Sequence, residues 1–218
     1  MRITKPILSE FIEFILVLII GFGRSIYLST NDLINQLNGF PAPVFEKTAF
    51  YYLAAEEITA LPLILFFLKY RNWTLKDFNL EFKFNMFGIA LILVILRLTI
   101  NLVTILIINF LHLNIERASP VTSHADITGI ILIIIINSIF EELLVVGYIF
   151  KRLENLHPAI IIAISFIIRE SYHTYQGLGY LPFSFSLAFV FGLYYIKYKK
   201  IWPLIIAHGL GNAINFLI

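Results

Sequence analysis

The segment Asn137–Lys151, NSIFEELLVVGYIFK, constrains this chain more than any other. It sets two adjacent carboxylates, Glu141 and Glu142, inside a run that is otherwise almost wholly apolar. A charge at the centre of a membrane helix costs about 2.5–3.5 kcal/mol even on a lenient insertion scale. The rest of the chain makes a membrane setting unavoidable. Of its 218 residues 59% are hydrophobic and 14% charged, against about 25% charged in an ordinary soluble domain. Apolar stretches of about 20 residues, the length that crosses a bilayer, recur from end to end. Lipid cannot satisfy open backbone groups, so the expected fold class is all-α, a polytopic transmembrane helical bundle.

Seven spans are expected: Leu8–Leu28, Thr48–Tyr70, Met86–Leu111, Ile127–Phe150, Pro158–His173, Leu181–Ile196 and Ile201–Ile218. The fifth and sixth are short and read as tilted or partly re-entrant. With the N-terminus inside, the inner segments hold 11 Lys and Arg residues and the outer segments two, Lys47 and Arg117. That asymmetry favours a cytoplasmic N-terminus and a multi-pass protein of the cell membrane. Arg2 and Lys5 precede the first apolar run, Glu10 and Glu13 interrupt its start, and no small-residue cleavage pattern follows. The run therefore reads as the first membrane helix. Residues 1–218 read as one integral membrane domain. The absence of cysteine excludes disulfides and thiolate metal sites. A net charge of +2 gives no sign of a nucleic-acid partner; the expected partners are the bilayer and a peptide or protein substrate.

Adjacent helical residues point about 100° apart. One of the two glutamates can therefore face a reaction centre while its neighbour supports it. Other polar groups lie in separate spans. RESYHTYQG sets Arg169 and His173 at i, i+4, and IIAHGLGNAINFLI sets His208 and Asn212 at the same spacing. A lone histidine in a helix is usually packing. Two histidines, an amide one turn from one of them, and a carboxylate pair suit hydrolysis better. Carboxylate and imidazole together form an ordinary ligand set for zinc, and an amide can steady a developing oxyanion. No H-E-x-x-H is present, so the soluble zincin arrangement does not apply. Glu56, Glu57 and Arg24 read as a structural ion-pair group near the outer face. Arg97 and Asn101 read as a further buried polar contact, with Glu10 or Glu13 as partner.

These motifs resemble the CAAX-protease and bacteriocin-processing (CPBP, or Abi) family of intramembrane metalloproteases. Its E-E-x-x-x-R segment followed by Gly is met by Glu141, Glu142 and Gly147, with Val146 where arginine is usual. Its second motif ends in histidine, here His173, and its third, H-x-x-x-N, is met by His208 and Asn212. The protease-like core is about 127–218. The resemblance implies catalytic roles for Glu141, Glu142, His173, His208 and Asn212. Glu141 would be the general base, and Asn212 the oxyanion donor. It further implies a divalent metal, zinc, held by Glu141, His173 and His208. Val146 leaves Glu142 without its usual cation. Three explanations compete: Arg169 substitutes from another helix, Glu142 is protonated, or the protein is inactive. The first is favoured, because a buried arginine also needs a partner.

The expected activity is an endopeptidase acting on membrane-associated or precursor peptides, in CAAX-like processing or in bacteriocin maturation and self-immunity. The alternative is an inactive scaffold or immunity protein that binds a membrane partner. A proton-coupled transporter would predict internal symmetry, which the sequence does not display.

Overall fold

The structure is a computed structural model and describes residues 7–113 and 126–217. Arg117, expected in an outer segment, lies outside the described residues. Within them the chain forms seven helices and no strand. They are α1 (Ile7–Leu37), α2 (Lys47–Tyr70), α3 (Met86–Phe110), α4 (Ile127–Arg152), α5 (Pro158–Ser171), α6 (Leu181–Tyr198) and α7 (Trp202–Leu217). Five are long and apolar enough to cross a membrane, the sixth helix together with the turn before it from Leu178. The other two, α5 with 14 residues and α7 with 16, fall short of the roughly 20 that a bilayer needs.

Helix ends follow local chemistry. The Asp126 carboxylate accepts from Gly129 N at 2.8 Å and starts α4. Pro158 occupies the first turn of α5, where its missing N–H costs nothing. Lys199 takes a left-handed conformation (φ 52°) that stops α6, and Pro203 sits in the first turn of α7.

Buried residues make up 61% of the α4 span but only 17–22% of the first three spans. Helix α4 is therefore the bundle's central element, and α1–α3 keep wide apolar faces outward, as lipid-facing helices do. Val145, Val146, Tyr148 and Ile149 of α4 are buried in the core. Helix α5 packs on α6, and α3 packs on both α6 and α7. Gly209 brings α7 close to α4: a Cβ there would lie 3.2 Å from the Ile134 carbonyl oxygen.

Two stretches of α4, Ile133–Asn137 and Glu142–Tyr148, are wound as π-helix, with a four-residue α segment, Ser138–Glu141, between them. Wide turns of this kind are rare and concentrate at functional sites. Here the change of winding falls between the two glutamates.

At the end of the bundle where α1 begins, Glu13 is buried and accepts from Arg71 Nε at 2.8 Å and Trp73 Nε1 at 3.0 Å. Arg152 lies 3.0 Å from Glu10 and 3.6 Å from Glu13. These acids were expected to partner Arg97; Arg71 and Arg152 hold them instead. The reason is depth, since Arg97 lies about 16 Å along α3 by helical rise. Arg24 pairs with Glu56 as expected. Glu57 turns inward, away from that pair.

Candidate active site

The site is assembled around Arg169. It lies 11 residues into α5, about 16 Å from the helix start, and Glu142 lies 10 residues, about 15 Å, from the end of α4. The two antiparallel helices thus bring these groups to one depth. Arg169 Nη2 donates to the Glu142 oxygens at 2.8 and 2.7 Å, and Nη1 to Glu141 Oε2 at 3.2 Å. All three side chains are buried. A guanidinium fork suits this task, since it meets two carboxylates with fixed donors. Arg169 thereby supplies, from another helix, the cation that Val146 cannot, and Val146 packs into the core.

The two carboxylates have different surroundings. Glu142 also takes the Nδ1 of His208 at 2.6 Å, so both its oxygens are committed and the imidazole is held in orientation. Glu141 accepts from the Tyr172 hydroxyl at 2.7 Å on Oε2 and from Asn137 Nδ2 at 3.0 Å on Oε1. The same Asn137 amide donates to Glu57 Oε1 at 2.7 Å. Glu57 of α2 is therefore tied to Glu141 through a single amide group.

Glu141, Arg169, His173, Tyr180, Ser184, Leu187 and His208 line a cavity of about 10 Å³. That is about the room one water molecule needs. His173 lies beyond the end of α5, in the turn that leads to α6. Its ring packs among Tyr172, Tyr175 and Tyr180, at centroid distances of 4.6, 6.1 and 4.8 Å. A straight continuation of α5 would have carried it past the depth of Glu141; ending the helix at Ser171 lets the turn set its ring on the cavity wall.

Four of the expected residues, Glu141, His173, His208 and the supporting Arg169, line this cavity, and Glu142 backs it. Asn212 does not: it follows His208 by one turn, is half-buried, and is absent from the lining. Of the expected metal set, Glu141, His173 and His208 line this one cavity. Among the described residues no group of three His, Asp or Glu side chains is arranged to hold a metal ion. Arg169 Nη1 meets Glu141 at Oε2, and His208 Nδ1 is bound to Glu142.

Sequence reasoning missed Asn137, Glu57, Tyr180 and Ser184 as neighbours of the site. Asn137 stands at i−4 from Glu141, a spacing that was available to find it. The Tyr172 hydroxyl fixes Glu141. Glu57, Tyr180 and Ser184 carried no local signal.

The geometry can now be set beside known proteins. Residues 123–214 match the model of the family described as type II CAAX prenyl endopeptidase Rce1-like. That span contains every group around the cavity, and the match is consistent with membership of the CAAX-protease and bacteriocin-processing family. No curated protein and no solved structure matches the chain.

Proposed function

We propose that the protein is a glutamate-dependent intramembrane endopeptidase that hydrolyses a peptide bond of a membrane-associated substrate with water held in the Glu141 cavity. One observation carries the reading: a carboxylate and two imidazoles, drawn from α4, α7 and the turn after α5, border a space of single-water size within the bundle. The Rce1-like match supports the same class of activity.

In the proposed reaction Glu141 is the base. Among the described residues its Oε1 accepts one bond, from Asn137, and so keeps a lone pair for the water. The water oxygen attacks the carbonyl carbon as its proton passes to Glu141. His208, whose Nδ1 is engaged by Glu142, keeps Nε2 as the ring nitrogen left to meet the developing oxyanion. Glu142 fixes the orientation of that ring. The C–N bond then breaks as Glu141 returns its proton to the leaving nitrogen, giving an acid and an amine. His173 and Tyr180 border the same space and orient water and substrate.

Arg169 bonded to Glu141 and Glu142 supports an active enzyme over the inactive scaffold that Val146 raised. CAAX-like processing and bacteriocin maturation or immunity remain the substrate classes that the resemblance offers. Purified protein in liposomes, incubated with a membrane-anchored peptide library, tests the proposal. New termini should be found with the wild type and not with Glu141→Gln at equal expression. Cleavage that survives Glu141→Gln removes the mechanism.

A further inference from the structure

Arg97 on α3 is 1% exposed, and among the described residues none of its guanidinium nitrogens has a hydrogen-bond partner. The Phe183 ring centroid lies 4.4 Å from the guanidinium carbon. Asn101, one turn further along the same helix, is no help: its own Oδ1 is buried and unpaired. An arginine inside a bilayer ordinarily finds a partner, and leaving one buried and unpaired is strongly unfavourable. A hydrophobic residue there would stabilise the bundle better, so the position calls for a functional reason.

The surroundings are shaped to the group. Gly211 of α7 lies against it, and a Cβ at that position would come within 2.7 Å of both Nη1 and Nη2. Gly211 follows His208 by three residues on the same helical face. Phe183 precedes Ser184, which lines the catalytic cavity. The free fork therefore borders the hydrolytic centre on its α3 side, about one helical turn from His208.

We propose that Arg97 is a substrate-recognition residue that receives a peptide carboxylate beside the reacting bond. The chemistry follows from the donor. A guanidinium offers a planar fork that matches a carboxylate with two parallel bonds, and a dry site makes that pairing strong and selective. The depth excludes a lipid phosphate. Arg97 lies about 16 Å from the start of a helix about 37 Å long, far from either headgroup layer. A peptide chain reaching Glu141 brings its own carboxylates to that depth. They have two sources, the free C-terminus and an acidic side chain. The anion enters by displacing the Phe183 ring from the guanidinium. The inference rests on the peptidase reading for the nature of the ligand and extends it to a specificity.

The test measures binding and cleavage separately. One fluorescent, N-terminally palmitoylated apolar peptide is made in three forms: free C-terminal acid, C-terminal amide, and amide with a single Glu placed in turn along the chain. Binding is measured to Glu141→Gln protein in nanodiscs, and cleavage with the wild type. The proposal expects the acid form, or one of the Glu forms, to bind at least tenfold tighter than the plain amide. Which form wins identifies the source of the carboxylate. Arg97→Gln, added to the Glu141→Gln protein, should bring that ratio to near one. Gly211→Ala, which displaces the guanidinium by contact, should lower it too, and gives an independent reading if Arg97→Gln is poorly folded. Equal binding of all forms, no binding at all, or a preference that survives both substitutions overturns the proposal. Carboxylate-selective binding without any cleavage by the wild type would leave Arg97 its role and remove the peptidase reading. Cleavage without carboxylate preference would do the reverse.

Discussion

Arg169 Nη2 lies 2.8 and 2.7 Å from the two oxygens of Glu142, across 27 positions of sequence. This contact makes a buried carboxylate pair tolerable in a chain that has Val146 in place of the motif arginine. It leaves both oxygens of Glu142 engaged, while Glu141 Oε1 accepts from Asn137 alone among the described residues.

Removing Arg169 leaves two buried carboxylates without their cation. Breaking one partner of a buried pair costs about 3–5 kcal/mol. Arg169→Ala should therefore lower thermal stability in detergent and abolish cleavage to the same degree as Glu142→Ala. Arg169→Lys restores the charge without the fork and should recover only part of either quantity. An Arg169→Ala protein as stable and active as the wild type refutes the pairing.

Hydrolysis should be indifferent to chelation. Cleavage measured before and after extended dialysis against EDTA or 1,10-phenanthroline should agree within about twofold. A loss that zinc restores would return Glu141, His173 and His208 to a metal-binding role, with Arg169 moving aside.

Asn137 holds Glu141 and Glu57 with one amide. Asn137→Ala leaves an unsatisfied oxygen on each carboxylate, at about 1–3 kcal/mol for a buried polar group. It also frees Glu141 to rotate. The expected outcome is a fall in kcat larger than any change in KM, with a lowered melting temperature. Glu57→Gln keeps an acceptor for the amide and should be much milder. If both variants behave like the wild type, the Glu57 link has no part in positioning the base.

His208 and Asn212 should separate on substitution. His208→Ala should reduce cleavage by about 10²-fold or more, the range for a lost acid–base group or oxyanion donor. Asn212→Ala should cost less than about tenfold, because Asn212 is absent from the cavity lining. Equal losses would return Asn212 to the oxyanion role that its H-x-x-x-N spacing first implied.

The apolar runs, the carboxylate pair and the two histidines were legible in the sequence because a membrane makes each charge conspicuous. Glu141 and Glu142 stand out against their span, and Asn137 stands at readable helical spacing from them. Residues without a local anomaly were not legible. Tyr180 and Ser184 look like ordinary members of an aromatic, small-residue helix start, and Glu57 looks like half of a surface pair with Glu56. Glu57 reaches the site only because α2 rotates it toward α4 while Glu56 meets Arg24. A helical period gives relative directions on one helix and does not say which neighbour each direction meets.

The sequence alone determined that this is a membrane helical bundle and which side chains are too costly in lipid to lack a purpose, because hydrophobicity and charge are properties of single residues. The tertiary structure decided which charges neutralise one another. It chose Arg169 for the glutamates and Arg71 and Arg152 for Glu13. It also left Arg97 without an acceptor among the described residues. Those outcomes depend on depth and rotation of packed helices, to within a few ångströms, and such distances are fixed only when the whole bundle closes.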